Sequence, residues 1–234
     1  MTKASVLYLV PTNITEIDVN WTIPSNVINQ INNIQVFIVE NAKTTRHFLK
    51  LLNPSINWVE KLIFELDKHQ PESQKKEILE LLKSGKDIGL MSEAGLPCIA
   101  DPGHEVVRMA HDNDIVVKPL NGPSSIILAL ISSGLNGQNF KFNGYLPSKP
   151  DERRKSIQIL ESESSKTTQL FIEAPYRNEN MLKDLIDVLK PETRLLMARD
   201  ITGENELIIC RKVSWWKNNR MELGKVPCLF GIGR

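Results

Sequence analysis

Ser92-Glu-Ala-Gly-Leu-Pro-Cys-Ile-Ala-Asp-Pro-Gly103 is the stretch that decides how this chain folds. An apolar run, Ile88–Met91, comes before it and reads as a buried strand; His104–His111 comes after it and reads as a helix. Connections between a strand and the following helix usually run about 2–6 residues. This one has twelve. Its glycines let a ligand come close to the backbone, and its prolines hold one loop shape. A long, stiff, glycine-bearing loop at the end of a strand is where an open α/β sheet binds a ligand.

The same alternation extends in both directions. Upstream, Val6–Val10 and Val36–Val39 read as strands, with Leu62–Phe64 as a third. Helices are expected from Pro24, around Thr45–Leu52, and over Glu72–Lys83, where Ile78, Leu79, Leu81 and Leu82 share a broad face and Gly85 stands just past the end. Downstream, Ile115–Val117 is a strand and Pro123–Ser133 an apolar helix ended by Gly134. Gly134-Leu-Asn-Gly-Gln-Asn139 reads as a linker. A second half then alternates strands at Phe140–Tyr145, Gln169–Ile172, Leu195–Ala198, Glu206–Arg211 and Cys228–Ile232 with helices at Glu152–Leu160 and Asn180–Leu189. This pattern predicts an α/β protein of two domains, residues 1–136 and 137–234, with helices packed on parallel or mixed sheets.

Composition agrees with a packed fold. Of 234 residues, 41% are hydrophobic and 24% charged, which excludes a disordered chain, a collagen-like repeat and a coiled coil. Twenty-nine Lys and Arg against 28 Asp and Glu leave a net charge of +1, so bulk attraction to nucleic acid is not implied, although a local basic patch is compatible with it. Cys98, Cys210 and Cys228 are far apart and form no CxxC pair. Neither a zinc site nor a disulfide framework is expected, and a reducing cytoplasm is the natural setting. Val6–Val10 is too short for the apolar core of a signal peptide, and the apolar run Ile126–Ile131 is too short to span a membrane.

The other strand ends also concentrate Gly, Pro and Ser. They are Pro11-Thr-Asn13, Pro119-Leu-Asn-Gly-Pro-Ser-Ser125, Asn143-Gly-Tyr-Leu-Pro147 and Glu173-Ala-Pro-Tyr-Arg177. Such a set suits a cofactor read through backbone N–H and C=O groups. Any single loop of this kind is equally what a plain turn requires. GxGxxG, GxxxxGK[ST], HExxH and GxSxG are all missing, so a dinucleotide site, a P-loop, a zinc protease and an α/β-hydrolase are unsupported.

Leu7-Tyr-Leu-Val-Pro11, the Ser92–Gly103 loop, Asn121-Gly-Pro-Ser124 and Gly144-Tyr-Leu-Pro147 resemble the tetrapyrrole-methylase-type methyltransferases. Among these they are similar to the ribosomal RNA small subunit methyltransferase I family. Glu152-Arg-Arg-Lys155, Glu173-Ala-Pro-Tyr-Arg177 and Ala198-Arg-Asp-Ile-Thr202 follow that family's order and spacing. Two segments depart from it. Thr12-Asn-Ile-Thr15 has no glycine where the family usually has one, and Glu40-Asn-Ala-Lys-Thr-Thr-Arg-His47 has fewer acidic residues and a longer spacing.

The resemblance implies two α/β/α domains with mixed sheets, S-adenosylmethionine in the cleft between them, and a homodimer; methyl displacement at carbon needs no metal, and none is expected. It implies ribose 2′-O-methylation of a cytidine in small-subunit ribosomal RNA. A methylase of a tetrapyrrole-like small molecule and a non-catalytic homologue that binds S-adenosylmethionine are the alternatives. By motif, the cofactor meets Ser92, Glu93, Ala94, Gly95, Leu96 and Ile99, with Ser124 and Ser125 from the next strand end and Tyr145 and Glu173 from the second half. Arg153, Arg154, Lys155 and Arg177 are the expected substrate contacts. Cations in the first turn of a helix oppose its dipole, which favours a phosphate-binding role for the first three.

Glu40 is a candidate for positioning or deprotonating a hydroxyl, and Arg46 for holding a phosphate; Glu40 reads equally as a helix-start carboxylate. His47 and His104 read as surface or packing histidines, with His104 a secondary candidate base. Asp101 is expected to organise its own turn. Trp215 and Trp216, flanked by Lys212, Lys217 and Arg220, read as buried or interface tryptophans rather than a stacking surface. The cysteines are expected to be inert.

Overall fold

Val36-Phe-Ile-Val39 and Ile88-Gly-Leu-Met91 are apolar throughout, the pattern of a strand covered on both faces. Both are buried at every position. In the computed structural model, which describes residues 5–67 and 71–234, they lie side by side in a five-stranded sheet. The strands are β1 (Val6–Val10), β2 (Val36–Val39), β3 (Leu62–Glu65), β4 (Ile88–Met91) and β5 (Val116–Pro119), in the order β3-β2-β4-β1-β5. Every pairing is parallel. All five carboxyl ends therefore share one edge.

Alternation along the strands sorts two cores. Tyr8, Val10, Phe37 and Val39 pack with Val27 and Ile31 of α1 (Ser25–Asn33) and Leu49 of α2 (Ala42–Leu52). Leu7, Val36, Ile38 and Leu90 pack with Ile78 and Leu82 of α3 (Glu72–Leu82) and Val106 and Ala110 of α4 (His104–Asp112). β1 is thus followed by a helix on one face and β4, its neighbour, by a helix on the other. Chains leaving adjacent strands toward opposite faces open a crevice at their carboxyl ends, the usual ligand position in such sheets.

The second sheet contains β6 (Phe140–Tyr145), β7 (Thr168–Glu173), β8 (Arg194–Arg199), β9 (Leu207–Lys212) and β10 (Cys228–Gly233), in the order β6-β7-β10-β8-β9. Only β6 and β7 are parallel; the other three pairings are antiparallel. The expected mixed sheet is therefore found in this half, whereas the first sheet is wholly parallel. α6 (Pro150–Glu163), α7 (Asn178–Val188) and α8 (Val213–Asn218) cover one face around Phe171, Phe230, Met181 and Trp216. α5 (Ser125–Ser133) covers the other, with Ile126, Ala129 and Leu130 against Leu170, Leu196 and Leu229.

The packing of α5 moves the domain boundary. The chain divides into Met1–Ser124 and Ser125–Arg234, not after residue 136 as the linker-like Gly134–Asn139 suggested. The apolar face of α5 is buried on the second sheet, so the glycine-containing segment is a connection inside the second unit. Ser133 marks that helix end, its hydroxyl donating to the Leu130 carbonyl and accepting from the Leu135 N–H. Helix α8 was not expected from sequence; its six residues include the tryptophan pair. Among the described residues, no helix is long and apolar enough to cross a membrane.

Candidate functional site

In the first unit the strand-end loops are tied to one another by main chain. The Thr12 N–H donates to the Gly95 carbonyl at 2.9 Å, and the Thr12 hydroxyl reaches the same oxygen at 3.3 Å. The loop after β1 thus holds the loop after β4 across the crevice. Asn13 braces the first loop, donating to the Ile17 carbonyl and accepting from the Thr22 hydroxyl. The missing family glycine at this place is therefore compatible with an ordered loop.

Two glycines have a geometric reason to be there. Gly95 has φ +75°, where side-chained residues are strained, and a Cβ on it would lie 3.5 Å from the Pro123 carbonyl oxygen. Gly122 lies so close to the first loop that a Cβ there would sit 2.0 Å from the Cβ of Pro11. In the long loop, Asp101 Oδ1 accepts from the Cys98 and Gly103 N–H groups, both at 2.9 Å. That is the expected self-organised turn, and it holds Cys98 and Ala100 at φ 70° and 65°. Ser92 is buried, its hydroxyl directed to the Ala94 carbonyl, while Glu93, Ala94 and Ile99 are exposed.

Glu40 takes a different place from the one expected. Its Oε2 accepts from the Glu93 N–H at 2.9 Å, tying the end of β2 to the long loop. Through this oxygen it acts on the loop's main chain. Arg46 is exposed on α2. His104 is exposed and sits 3.2 Å from Glu105, outside this arrangement.

The second unit is organised by buried charge pairs, and these correct several expected contacts. Arg153 is only 4% exposed. It donates to Asp184 Oδ2 at 2.8 Å and to the Ser148 carbonyl at 2.9 Å, so it anchors α6 to α7 and is not presented to a substrate phosphate. Arg154 is half-buried and binds the other Asp184 oxygen at 2.8 Å and Asp187 at 3.4 Å. Lys155 alone of the three is fully exposed. α6 begins at Pro150 and carries Asp151 and Glu152 in its first turn, so the dipole argument for phosphate does not apply; the pairing of Arg153 and Arg154 with α7 accounts for those two cations.

Glu173 is likewise buried, its side chain turned into its own loop. One oxygen accepts from the Ala174 N–H at 2.7 Å and pairs with Arg177 at 2.5 Å. Through that oxygen it shapes the Glu173–Arg177 turn. Tyr145 ends β6 and is exposed. Trp216 is fully buried and donates to the Leu195 carbonyl at 3.1 Å, with Trp215 edge-on against it, as expected of a packing pair. Burial pushes the Cys228 thiol up to about 12; burial and the Asp101 charge push Cys98 up to about 11; burial also raises Cys210. All three are therefore protonated and unreactive near neutrality.

The polar side chains of the loops after β1, β4 and β5 are hydroxyls, amides and carboxylates. Residues 11–15, 92–103 and 119–125 contain only Lys-free and Arg-free sequence. That chemistry favours a cationic or neutral ligand over a phosphate.

A family model described as Tetrapyrrole (Corrin/Porphyrin) Methylases matches residues 23–214. The chain resembles solved structures of diphthine synthase (TM-score 0.63, 14% identity, 98% of this chain and 90% of that one). It also resembles uroporphyrin-III-C-methyltransferase from Thermus thermophilus (TM-score 0.55, 14% identity, 98% and 92%). These two likenesses concern the fold. Proteins named Ribosomal RNA small subunit methyltransferase I are similar in sequence. That of Vibrio cholerae is 33% identical over 88% of this chain and 68% of its own length. That of Bacillus subtilis is 32% identical over 97% and 75%. The chain belongs to the tetrapyrrole methylase family, and within it to the ribosomal RNA small subunit methyltransferase I group. It is an S-adenosylmethionine-dependent methyltransferase.

The first unit's loops fit that cofactor. A sulfonium donor is cationic, and the three loops without Lys or Arg offer oxygen atoms suited to stabilise it. S-adenosylmethionine, when bound, would supply a methyl group activated for displacement; the chain's part is alignment.

Proposed function

We propose that the acceptor is the RNA of the small ribosomal subunit, methylated on a ribose 2′-hydroxyl of a cytidine. The observation that carries this reading is the sequence likeness to relatives named for that RNA, at 32% identity over 97% of the chain in the Bacillus subtilis case. The neighbours that share only the fold speak to neither a tetrapyrrole nor a peptide acceptor.

In this reading Ser92, Glu93, Ala94, Gly95, Leu96 and Ile99 hold the donor, with Ser124, Ser125 and Tyr145. Glu40 serves by fixing the loop through the Glu93 N–H. Thr12 serves by clamping the Gly95 carbonyl, so that neighbouring main-chain groups are oriented before the donor arrives. Prepaid orientation of this kind is the main lever for a displacement at carbon, where no covalent nucleophile is required. Lys155 and Arg46, exposed cations, contact RNA phosphates. Arg177 contributes through the turn it shares with Glu173. The active form is a homodimer, as the family resemblance implies, working in the cytoplasm.

The test uses small ribosomal subunits from a strain lacking the gene, incubated with the protein and methyl-labelled donor. Label in 16S RNA, mapped by mass spectrometry to a 2′-O-methylcytidine, is the expected result. A protein that binds the donor yet labels no 16S RNA overturns the proposal. Label in a small-molecule fraction would point to the tetrapyrrole-like alternative, and donor binding with no transfer at all to a non-catalytic homologue.

A further inference from the structure

We propose that Tyr176 is a stacking platform for an unpaired base of the RNA acceptor, pre-positioned by Arg177 and Glu173. The inference rests on the RNA reading above and adds the residue that grips a base.

Tyr176 is 74% exposed, more than is usual for a large aromatic side chain. Its setting is rigid. Pro175 restricts the backbone, and Pro175–Arg177 form a tight turn closed by the Arg177 N–H on the Ala174 carbonyl at 2.8 Å. The Arg177 guanidinium lies over the Tyr176 ring, 5.7 Å from its centroid. That guanidinium is itself held at 2.5 Å by Glu173, whose side chain is fully buried. The same carboxylate accepts from the Ala174 N–H. A buried acid thus fixes an arginine, the arginine backs an aromatic ring, and the ring's outer face is left to solvent.

The pair suits a nucleotide. An aromatic face stacks on a base of any identity, and the guanidinium, neutralised by Glu173, steadies the ring from one side. Tyr145, 58% exposed, ends the neighbouring parallel strand, with its Cα in register with Ile172. Two exposed tyrosines therefore stand at the carboxyl edge of adjacent strands, on a unit whose core aromatics, Phe171, Phe230 and Trp216, are buried. An extruded or single-stranded base presents the π-face such a ring recognises.

The experiment compares full-length Tyr176→Ala and Tyr176→Phe with wild type in three measurements. These are donor affinity by calorimetry, binding of a short fluorescein-labelled oligocytidylate, and steady-state methylation of small subunits. Tyr176→Ala is expected to weaken oligocytidylate binding and raise KM for the subunit about tenfold, with donor affinity unchanged. Tyr176→Phe is expected to behave as wild type, because it keeps the ring. Wild-type RNA affinity in Tyr176→Ala overturns the proposal. So does a tenfold loss of donor affinity, which would assign the ring to the cofactor. If wild type methylates no RNA, the functional reading fails by itself. The oligocytidylate measurement still decides the platform: a loss confined to Tyr176→Ala supports it, and equal binding overturns it.

Discussion

At the carboxyl edge of the first sheet, Thr12, Gly95, Gly122 and Pro11 meet through main-chain bonds and close backbone approach. At the corresponding edge of the second sheet, Glu173 and Arg177 meet through charged side chains, while Arg153 and Asp184 pair between α6 and α7. The two halves solve different problems. A loop held by backbone keeps its shape whatever its side chains, but it tolerates no added Cβ where two backbones approach closely, as at Gly122. A turn held by a buried ion pair tolerates backbone variation, but it fails if one charge is removed. The first arrangement suits a small cofactor packed against main chain. The second leaves side chains such as Tyr176 and Lys155 facing outward, where a large polymer can reach them.

Asp184→Ala tests the second half most severely. It strands the buried Arg153 guanidinium, and breaking a buried pair in this way costs about 3–5 kcal/mol. Urea unfolding of the second unit should show that loss; an unchanged midpoint would mean that the pair is solvated in solution. Gly122→Ala tests the first half. The new methyl would overlap Pro11, so overpacking should cost about 1–3 kcal/mol and separate the two loops, lowering donor affinity as well. Thermal unfolding alongside calorimetry checks both effects, and normal behaviour in both would remove the close-approach argument.

Gly95→Val sharpens the comparison further. A Cβ has room there, with its nearest neighbour 3.5 Å away, so the expected damage comes from a branched side chain at φ +75° and from its bulk beside the proposed donor site. Donor affinity should fall about tenfold, equal to about 1.4 kcal/mol, while the fold is retained. Lys155→Glu should have the smallest effect. Stability and donor binding should stay at wild-type values, with RNA binding weakened by a few-fold and more visibly at low salt. A salt-independent loss would exclude phosphate contact. Arg154 is a poor choice for this test, because a glutamate there would face Asp184 and Asp187.

The strands were legible where the pattern is local. Val6–Val10, Val36–Val39, Ile88–Met91 and Phe140–Tyr145 begin and end where their apolar or alternating runs do. Asp101 was legible as a turn organiser, because its partners lie within three residues. The roles of Glu40 and Arg153 were not. Glu40 meets the Glu93 N–H from 53 positions away, and Arg153 meets Asp184 from 31. Nothing in the flanking residues distinguishes such a partner from solvent.

By itself, the amino-acid sequence determined the alternation of strands and helices, the long loop Ser92–Gly103 and the family to which its motifs belong. Those properties follow from short-range periodicity and from the order of motifs along the chain. Only the tertiary structure decided that α5 joins the second unit, that Glu40 and Glu173 hold loops, and that Arg153 is structural while Tyr176 stands exposed. The reason is physical. Whether a charge faces water or a buried partner depends on which distant segment the fold brings against it, and burial reverses what a charged residue can do.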